Sequence, residues 1–390
     1  MNKVSIVIPT RSRAHLLPAA IRSSLKQTYE DIEIVICDNA SQDNTAEVVQ
    51  PFLADRRIRY VRTPTSLSMP DNWDHALTFA TGDYITYLTD DSVLFPKCIE
   101  FAMQELARTN QKAAVWRHAA YYYSDWYELS RRNVLYVPRT SNTVSKVDSE
   151  TMLRRLFNME RGNISIDIPK FINSICHREV VESIRQQQGR VFPPSCPDFS
   201  SAAGVLHNTS SYLLIERALY IDSVTKESIG ASTSYNMGDA SKKFLKEFSG
   251  GMEEIASAGI PVSPAGVAKS IENVACFYPA RAMKVNQRNL IIEISDRLSK
   301  VASNGTDVSG FWDLLEAYTN KDYSLQKILR RTRLVSGMKW RMVNLARRSY
   351  MMAFLEMVRG FDVYKGDKEG FKTVEEASLF ANSLIFLDKR

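Results

Sequence analysis

The sequence predicts an α/β fold, a mixed and mainly parallel sheet with helices on both faces, followed by a largely helical C-terminal region. Two observations lead there. Through the first quarter of the chain, β-branched apolar runs alternate with segments of helical spacing, the pattern of a parallel sheet covered on both sides. Beyond about Met237 strand-like runs become scarce and helical periodicity takes over. A chain of 390 residues, 44% of them hydrophobic, can bury one large core or two smaller ones. The change of character is therefore read as a boundary, giving a domain over 1–237 and a helical region over 238–390.

The elements follow in order. VSIVIPT is a buried strand stopped at Pro9. AHLLPAAIRSSLKQ sets Leu16, Ala20, Ile21 and Leu25 on one side of a helix. IEIVICDNAS is a second strand, ending in Asp38. SQDNTAEVVQPFL opens on capping residues and runs as a helix until Pro51. IRYVRT is a third strand, and MPDNWDHALTFAT a helix closed by Gly82. DYITYLTDD is a fourth strand that ends in Asp90 and Asp91, and SVLFPKCIEFAMQEL continues as a helix from near Pro96. In such sheets ligands bind beyond the carboxyl ends of the strands. Those ends carry Thr10, Arg11 and Arg13, then Asp38 and Asn39, then Asp90 and Asp91. Polar groups from three strands converge on one edge.

Bulk properties narrow the chemistry. A net charge of +6 is too weak to argue for nucleic acid, but it suits anionic small molecules or an anionic membrane surface. Cys37, Cys98, Cys176, Cys196 and Cys276 are scattered without metal-site spacing, which favours a reducing compartment. The N-terminus enters a strand at once, without a signal peptide, and no apolar run is long enough to span a bilayer. A cytoplasmic protein is expected, with peripheral attachment to the inner face of the cytoplasmic membrane left open. Neither G-x-G-x-x-G after the first strand nor G-x-x-x-x-G-K-[ST] is present, so the dinucleotide fingerprint and the P-loop are excluded. Two adjacent acids ending a strand can hold a hard divalent cation, which in turn holds phosphate oxygens. They can also simply cap the turn; Asp38 at the neighbouring strand end favours the metal and phosphate. Asp38 itself can accept hydrogen bonds from a base or a sugar hydroxyl.

The stretches VSIVIPTRSRAHLLPAAIRSSLKQTYEDIEIVICDNASQDNT and YLTDDSVLFP resemble the opening of family 2 glycosyltransferases, which have the GT-A fold. The resemblance covers the segment up to Pro96 well and the middle of the chain loosely. It implies a donor-nucleotide site at Pro9, Thr10, Arg11, Arg13, Asp38, Asn39, Asn72 and Asp90. It implies Mn²⁺ or Mg²⁺ at Asp91, with Asp90 on metal or ribose. Many members carry a third acid where this chain has Ser92. The implied reaction is inverting transfer from a nucleotide-sugar, UDP-linked, to a surface-glycan or lipid-linked acceptor. A sugar-phosphate nucleotidyltransferase is the alternative, but IPTRSRAHLL lacks the glycines of that class.

Inverting transfer needs a base for the acceptor hydroxyl. In RVFPPSCPDFSSAAGVLHNT, Asp198 stands before a helix of small residues and suits both a base and an N-cap. Asp167 in ISIDIPKF, a strand-like setting, is the rival. His207, on the same helix as Asp198, has the residue type of a further metal ligand. SIGASTSYNMGD, Ser228 to Asp239, is a loop of small residues that can bring backbone N–H groups to a pyrophosphate, or a plain surface loop. LQKILRRTRLVSGMKWRMVNLARRSYMMAFLEMVRGF mixes basic and apolar residues at helical spacing. It is either a packing helix with a solvated basic face or a membrane-surface helix in which Lys339, Arg341, Arg347 and Arg348 face an anionic leaflet. The C-terminal region as a whole is read as a cap that helps hold the acceptor or a sister subunit.

Overall fold

The computed structural model describes residues 2–139, 141–160, 164–194, 196–235, 263–281, 283–320, 322–347 and 360–386. The parallel half of the sheet is β1 (Val4–Thr10), β2 (Ile32–Asp38), β3 (Ile58–Arg62) and β4 (Tyr84–Tyr87). β1 lies between β2 and β4, and β3 lies beyond β2. Val7 pairs with Val35 and Tyr87, and Thr10 pairs with Asp38, so the carboxyl ends of these strands lie at one edge. The other half is mixed: β5 (Val93–Leu94), β6 (Ala113–Tyr122), β7 (Val134–Pro138), β8 (Val144–Asp148), β9 (Ser174–His177), β10 (Ser211–Val224) and β11 (Phe361–Lys365). The order is β11-β7-β6-β9-β4-β1-β2-β3, with β10 parallel to β6 and antiparallel to β5 and β8. The expected α/β layout with a helical C-terminal region is present.

Side chains of β1 and β2 alternate between two cores, as the pleat requires. Ile6, Ile8, Ile34 and Ile36 point to the face covered by α1 (Leu17–Leu25) and α4 (Cys98–Thr109). Val7, Val35 and Cys37 point to the other face, covered by α3 (Met69–Leu77), α5 (Ser149–Phe157), α7 (Arg178–Gln188) and α8 (Pro197–Asn208). Gly82 lies where a Cβ would sit 2.7 Å from the Ser5 amide nitrogen, so only glycine lets the chain enter β4 this close to β1. Glu33 ties the same corner together. It accepts from Ser5 Oγ (2.6 Å) and the Gly82 amide (3.1 Å) and pairs with Lys3 Nζ (2.7 Å).

The remaining helices are α2 (Thr45–Val49), α6 (Ile164–Asp167), α9 (Ile229–Tyr235), α10 (Ser263–Ala275), α11 (Gln287–Ser303), α12 (Ser309–Thr319), α13 (Tyr323–Arg347), α14 (Gly366–Glu369) and α15 (Val374–Phe386). The expected boundary at 237/238 and the helix expected over DASKKFLKEFSGGMEEIASAG lie outside the described residues, as does Arg348. The core does not divide there: Ile271, Ile291, Leu298, Trp312 and Leu315 join the cluster that holds Leu156, Val205 and Leu206. The C-terminal region is not purely helical either. β11 adds an edge strand to β7, and α15 packs Val374, Ala377 and Ala381 against Phe95 and Tyr121. All five cysteines are free thiols. Among the described residues no helix is long and apolar enough to cross a membrane.

Candidate active site

β4 ends at Tyr87, earlier than the sequence suggests, and Asp90 and Asp91 lie in the turn that follows, closed by the Ser92 amide on the Thr89 carbonyl (3.0 Å). Both acids are buried, at 4% and 5% exposure, so their charge must be balanced locally. Arg13 does this. Its Nη1 donates to Asp90 Oδ1 at 2.9 Å and lies 3.5 Å from Asp91 Oδ2, while Nη2 donates to the Glu227 carbonyl. Thr10 Oγ1 donates to Asp90 Oδ2 at 2.7 Å. Ser228 Oγ donates to Asp91 Oδ2 at 2.9 Å. Burial opposes the Arg13 charge, but Asp90 and Asp91 more than offset it and hold the guanidinium above its ordinary pKa. Burial likewise raises the Asp90 carboxyl, against the pull of Arg13.

The neighbouring strand end is equally fixed. Asp38, fully buried, accepts from Tyr60 Oη (2.6 Å) and the Ser41 amide (2.8 Å) and lies 3.4 Å from Arg62 Nη1. Asn39 clamps the loop ahead of α3, donating to the Leu67 carbonyl (2.9 Å) and accepting from its amide (2.7 Å). Just beyond these strand ends Ser12 (φ 53°) and Ala40 (φ 49°) are left-handed. For residues with a Cβ this conformation costs on the order of 1 kcal/mol and collects at functional sites. The Ser12 amide donates to Ser41 Oγ (2.8 Å), which staples the two loops together. Pro9 is buried in β1 opposite Cys37, and Arg11 is half-buried in the loop after it.

A second group of ionisable residues lies toward α8. Asp198 is half-buried in the first turn of that helix, whose N-cap is Cys196, so Asp198 is not the capping residue. Burial raises its carboxyl, and the Lys170 charge partly opposes this. Asp222, near the end of β10 and opposite Ala120, is pushed up to about 7 by burial and by Asp91, again opposed by Lys170. One step back on the same face, the His118 ring lies 5.5 Å from that of Tyr220. Burial, with Lys170 and Arg117, pulls His118 down to about 4, and its Nδ1 has no hydrogen-bond partner among the described residues. The charge of Lys170 thus reaches Asp198, Asp222 and His118. Asp222, Lys170 and His118 were not among the expected site residues. An acid interrupting the apolar run YLLIERALYIDSV was the available signal. Ser228 falls within the expected small-residue loop, which becomes helical as α9; residues 236–239 of that loop lie outside the described residues.

Three expected residues are not brought to the acids. Asn72 is buried beneath β2, where its Oδ1 accepts from Cys37 Sγ (3.4 Å), because α3 turns this side chain toward the sheet. His207 lies at the far end of α8 from Asp198, its ring 4.2 Å from Tyr278 and parallel to within 3°. It directly precedes the start of β10, whose opposite end leads to Ser228 and Asp91, so it does not complete a metal site there. Burial pulls it down to about 4. Asp167 ends a short helix rather than a strand and is paired with Arg117, which also holds Glu216 (2.9 Å). Among the described residues no group of three or more His, Cys, Asp or Glu side chains could hold a metal ion.

The family described as Glycosyl transferase family 2 matches residues 5–185. The chain is 36% identical over 107 residues to the GalNAc(5)-diNAcBac-PP-undecaprenol beta-1,3-glucosyltransferase of Campylobacter jejuni, which is 27% of this chain and 35% of that one. It is 32% identical over 107 residues to the UDP-Glc:alpha-D-GlcNAc-diphosphoundecaprenol beta-1,3-glucosyltransferase WfgD of Escherichia coli, 27% of this chain and 42% of that one. The chain thus spans well under half the length of these curated relatives. A crystal structure of S. aureus TarS 1-349 in complex with UDP-GlcNAc aligns over 87% of this chain and 92% of its own, with 13% identity and a TM-score of 0.49.

Proposed function

We propose that the protein, whose residues 5–185 match the family described as Glycosyl transferase family 2, transfers a sugar from a UDP-sugar to a hydroxyl of a glycan or lipid-linked acceptor, with inversion. The observation that carries this reading is the buried pair Asp90 and Asp91, held at the carboxyl edge of the sheet by Thr10 and Arg13. A phosphate-binding site at this edge is what the topology favours. The names of the Campylobacter jejuni and Escherichia coli relatives, both acting on undecaprenol-linked acceptors, support the acceptor class. No glycine-rich loop follows β1, which weighs against a nucleotidyltransferase.

Each residue has a role in this reading. Thr10 and Arg13 occupy both oxygens of Asp90 and leave Asp91 to face the donor. Among the described residues Asp91 Oδ1 has only a long contact, 3.5 Å, from Ser92 Oγ. A carboxylate with spare lone pairs beside a diphosphate fits a hard, oxygen-preferring cation that keeps most of its shell as water and phosphate. Mn²⁺ or Mg²⁺ held there would neutralise the charge that builds on the leaving diphosphate. Asp38 and Asn39 fix the floor on which the nucleoside lies. Asp198 takes the proton of the acceptor hydroxyl as its oxygen bonds to the anomeric carbon and the bond to the diphosphate breaks. Partial burial strengthens it as a base.

Calorimetry of UDP binding tests the donor half. The wild type should bind UDP at least about tenfold more tightly with Mn²⁺ than with a chelator, a difference of about 1.4 kcal/mol, and Asp91→Ala should remove the difference. Equal affinity with and without metal refutes the metal site. Absence of UDP binding under both conditions refutes the UDP donor.

A further inference from the structure

The outer face of α13 carries a second feature, remote in character from the acid cluster. The helix holds seven Lys or Arg and no Asp or Glu. Its inner face is occupied: Ile328 and Leu329 pack into the core, Thr332 bonds Ser295 (3.2 Å), and Trp340 Nε1 donates to Asp296 (3.2 Å). Lys339 and Arg333 flank that face and pair with Asp296 (2.8 Å) and Glu316 (2.5 Å). Among the described residues the opposite face has no such partners. Leu334 (66% exposed), Val335, Met338 and Met342 (68%) follow one another at helical spacing and form an apolar ridge in solvent. Lys327, Arg330, Arg331 and Arg341 border the ridge, all exposed and without an ion pair among the described residues.

We propose that this face docks on the surface of an anionic lipid bilayer. The ridge would enter the boundary between headgroups and acyl chains, and the four flanking cations would reach the lipid phosphates. Charge decides between occupants. A second copy of this chain meeting the ridge face to face would set the same four cations against each other, with no acid on α13 to receive them. Nucleic acid would satisfy the cations and leave Leu334, Met338 and Met342 against water or phosphate. A bilayer satisfies both sets of side chains. The surface is separate from the acid cluster, so the proposal stands or falls independently of sugar transfer.

Vesicle flotation tests it on the full chain. Wild type should float with phosphatidylcholine vesicles containing phosphatidylglycerol at low salt, and stay at the bottom with pure phosphatidylcholine or in high salt. Arg330→Glu/Arg331→Glu should weaken partitioning on the order of thirtyfold or more, since each basic side chain near such a surface contributes about a factor of five. Leu334→Asp/Met338→Asp should abolish it at unchanged thermal stability, because both positions are exposed. No flotation of the wild type overturns the proposal. So does undiminished binding by the Leu334/Met338 variant, which would leave attraction of charge alone. Sedimentation velocity covers the rival occupant: a wild-type dimer that these aspartates dissociate, without any vesicle effect, also overturns it. Binding of wild type to short RNA that outcompetes the vesicles would assign the face to nucleic acid instead.

Discussion

Asp198→Asn separates chemistry from structure on this chain, because the two effects differ in size. A general base removed from an acyl- or glycosyl-transfer site typically costs 10²–10⁴-fold in rate, about 3–5 kcal/mol of barrier. The structural cost is smaller. Asp198 is not the N-cap of α8, a position held by Cys196. What the substitution removes structurally is one negative charge in the first helical turn, worth about 0.3–1 kcal/mol. The Phe199 amide donates to the Cys196 carbonyl (3.1 Å), a bond the substitution leaves in place. Turnover should therefore fall at least a hundredfold while the melting curve moves by a few degrees at most. Burial raises the Asp198 carboxyl, so the wild-type rate should fall on the acid side above the ordinary carboxylate range. The base works only when ionised, so activity is lost as pH drops through the raised value, and the residual activity of the variant should lack that limb. UDP release in the presence of acceptor, measured from pH 4 to pH 8, reads both effects. A variant within about threefold of wild type at neutral pH, with the acid limb intact, refutes the assignment. Asp222 then becomes the candidate, because burial and the Asp91 charge raise its carboxyl and no cation is hydrogen-bonded to it among the described residues, whereas Asp167 is engaged by Arg117.

Two further outcomes concern stability. His207 sits at about 4 in the fold, below an unfolded value near 6.5, so folding favours its neutral form. Stability from this residue is complete above pH 6.5 and is lost as pH falls toward 4, up to about 3 kcal/mol. His207→Phe keeps a ring against Tyr278 and should lose less stability between pH 7 and pH 4.5 in urea titrations; an identical loss in both proteins refutes the reading. Glu33 is held at about 2: burial opposes the carboxylate, but Lys3, Ser5 and Thr81 together outweigh it. Its contribution is present above the ordinary value of 4.5 and is lost as pH falls toward 2. Glu33→Gln should cost about 2 kcal/mol at pH 7, since it leaves the Lys3 ammonium its bond to Thr81 Oγ1 but no counter-charge at this corner; a change under about 0.5 kcal/mol would show that water replaces these contacts.

The elements around the first strands were legible because their signals are local. The alternation in VSIVIPT and IEIVICD encodes two covered faces, and a strand end is where buried apolar residues stop. Thr10, Arg13, Asp38 and Asp90 could therefore be placed at one edge before their contacts were known. What stayed hidden depends on long-range pairing. FDVYK is five residues long and becomes β11 only because β7 offers an edge more than two hundred residues earlier in the chain. Asp222 reads as an accident in an apolar run until the register of β10 against β6 sets it opposite Ala120, where the Asp91 and Lys170 charges act on it. Asn72 and His207 could not be placed from the sequence for the opposite reason. A polar residue type suggested a ligand, and only packing reveals that one lies under a thiol and the other against a tyrosine ring.

The stretch matched by the family ends at residue 185, yet the proposed site does not. Asp198, Asp222 and Ser228 all follow it, and Arg13 is the residue that joins the two parts. One guanidinium reaches Asp90, approaches Asp91 and donates to the Glu227 carbonyl, so the first strand's loop is tied to the segment that follows β10. A lysine could neutralise one acid, but its single ammonium lacks the planar fork needed to serve two directions at once. Ser228 takes up the oxygen of Asp91 that Arg13 only approaches, at 2.9 Å. The orientation of Asp91, the acid proposed to face the donor, is thus set by residues more than a hundred positions apart, and the two sides of the crevice hold their spacing through it. In the proposed reaction that spacing is what matters. The leaving diphosphate and the acceptor hydroxyl must lie on opposite faces of one sugar ring, and the rate depends on holding both ends in register. The contact network from Thr10 through Arg13 to Ser228 would supply that constraint without a dedicated domain hinge, and the cation that offsets part of the charge of the buried acids is the same one that anchors the far wall.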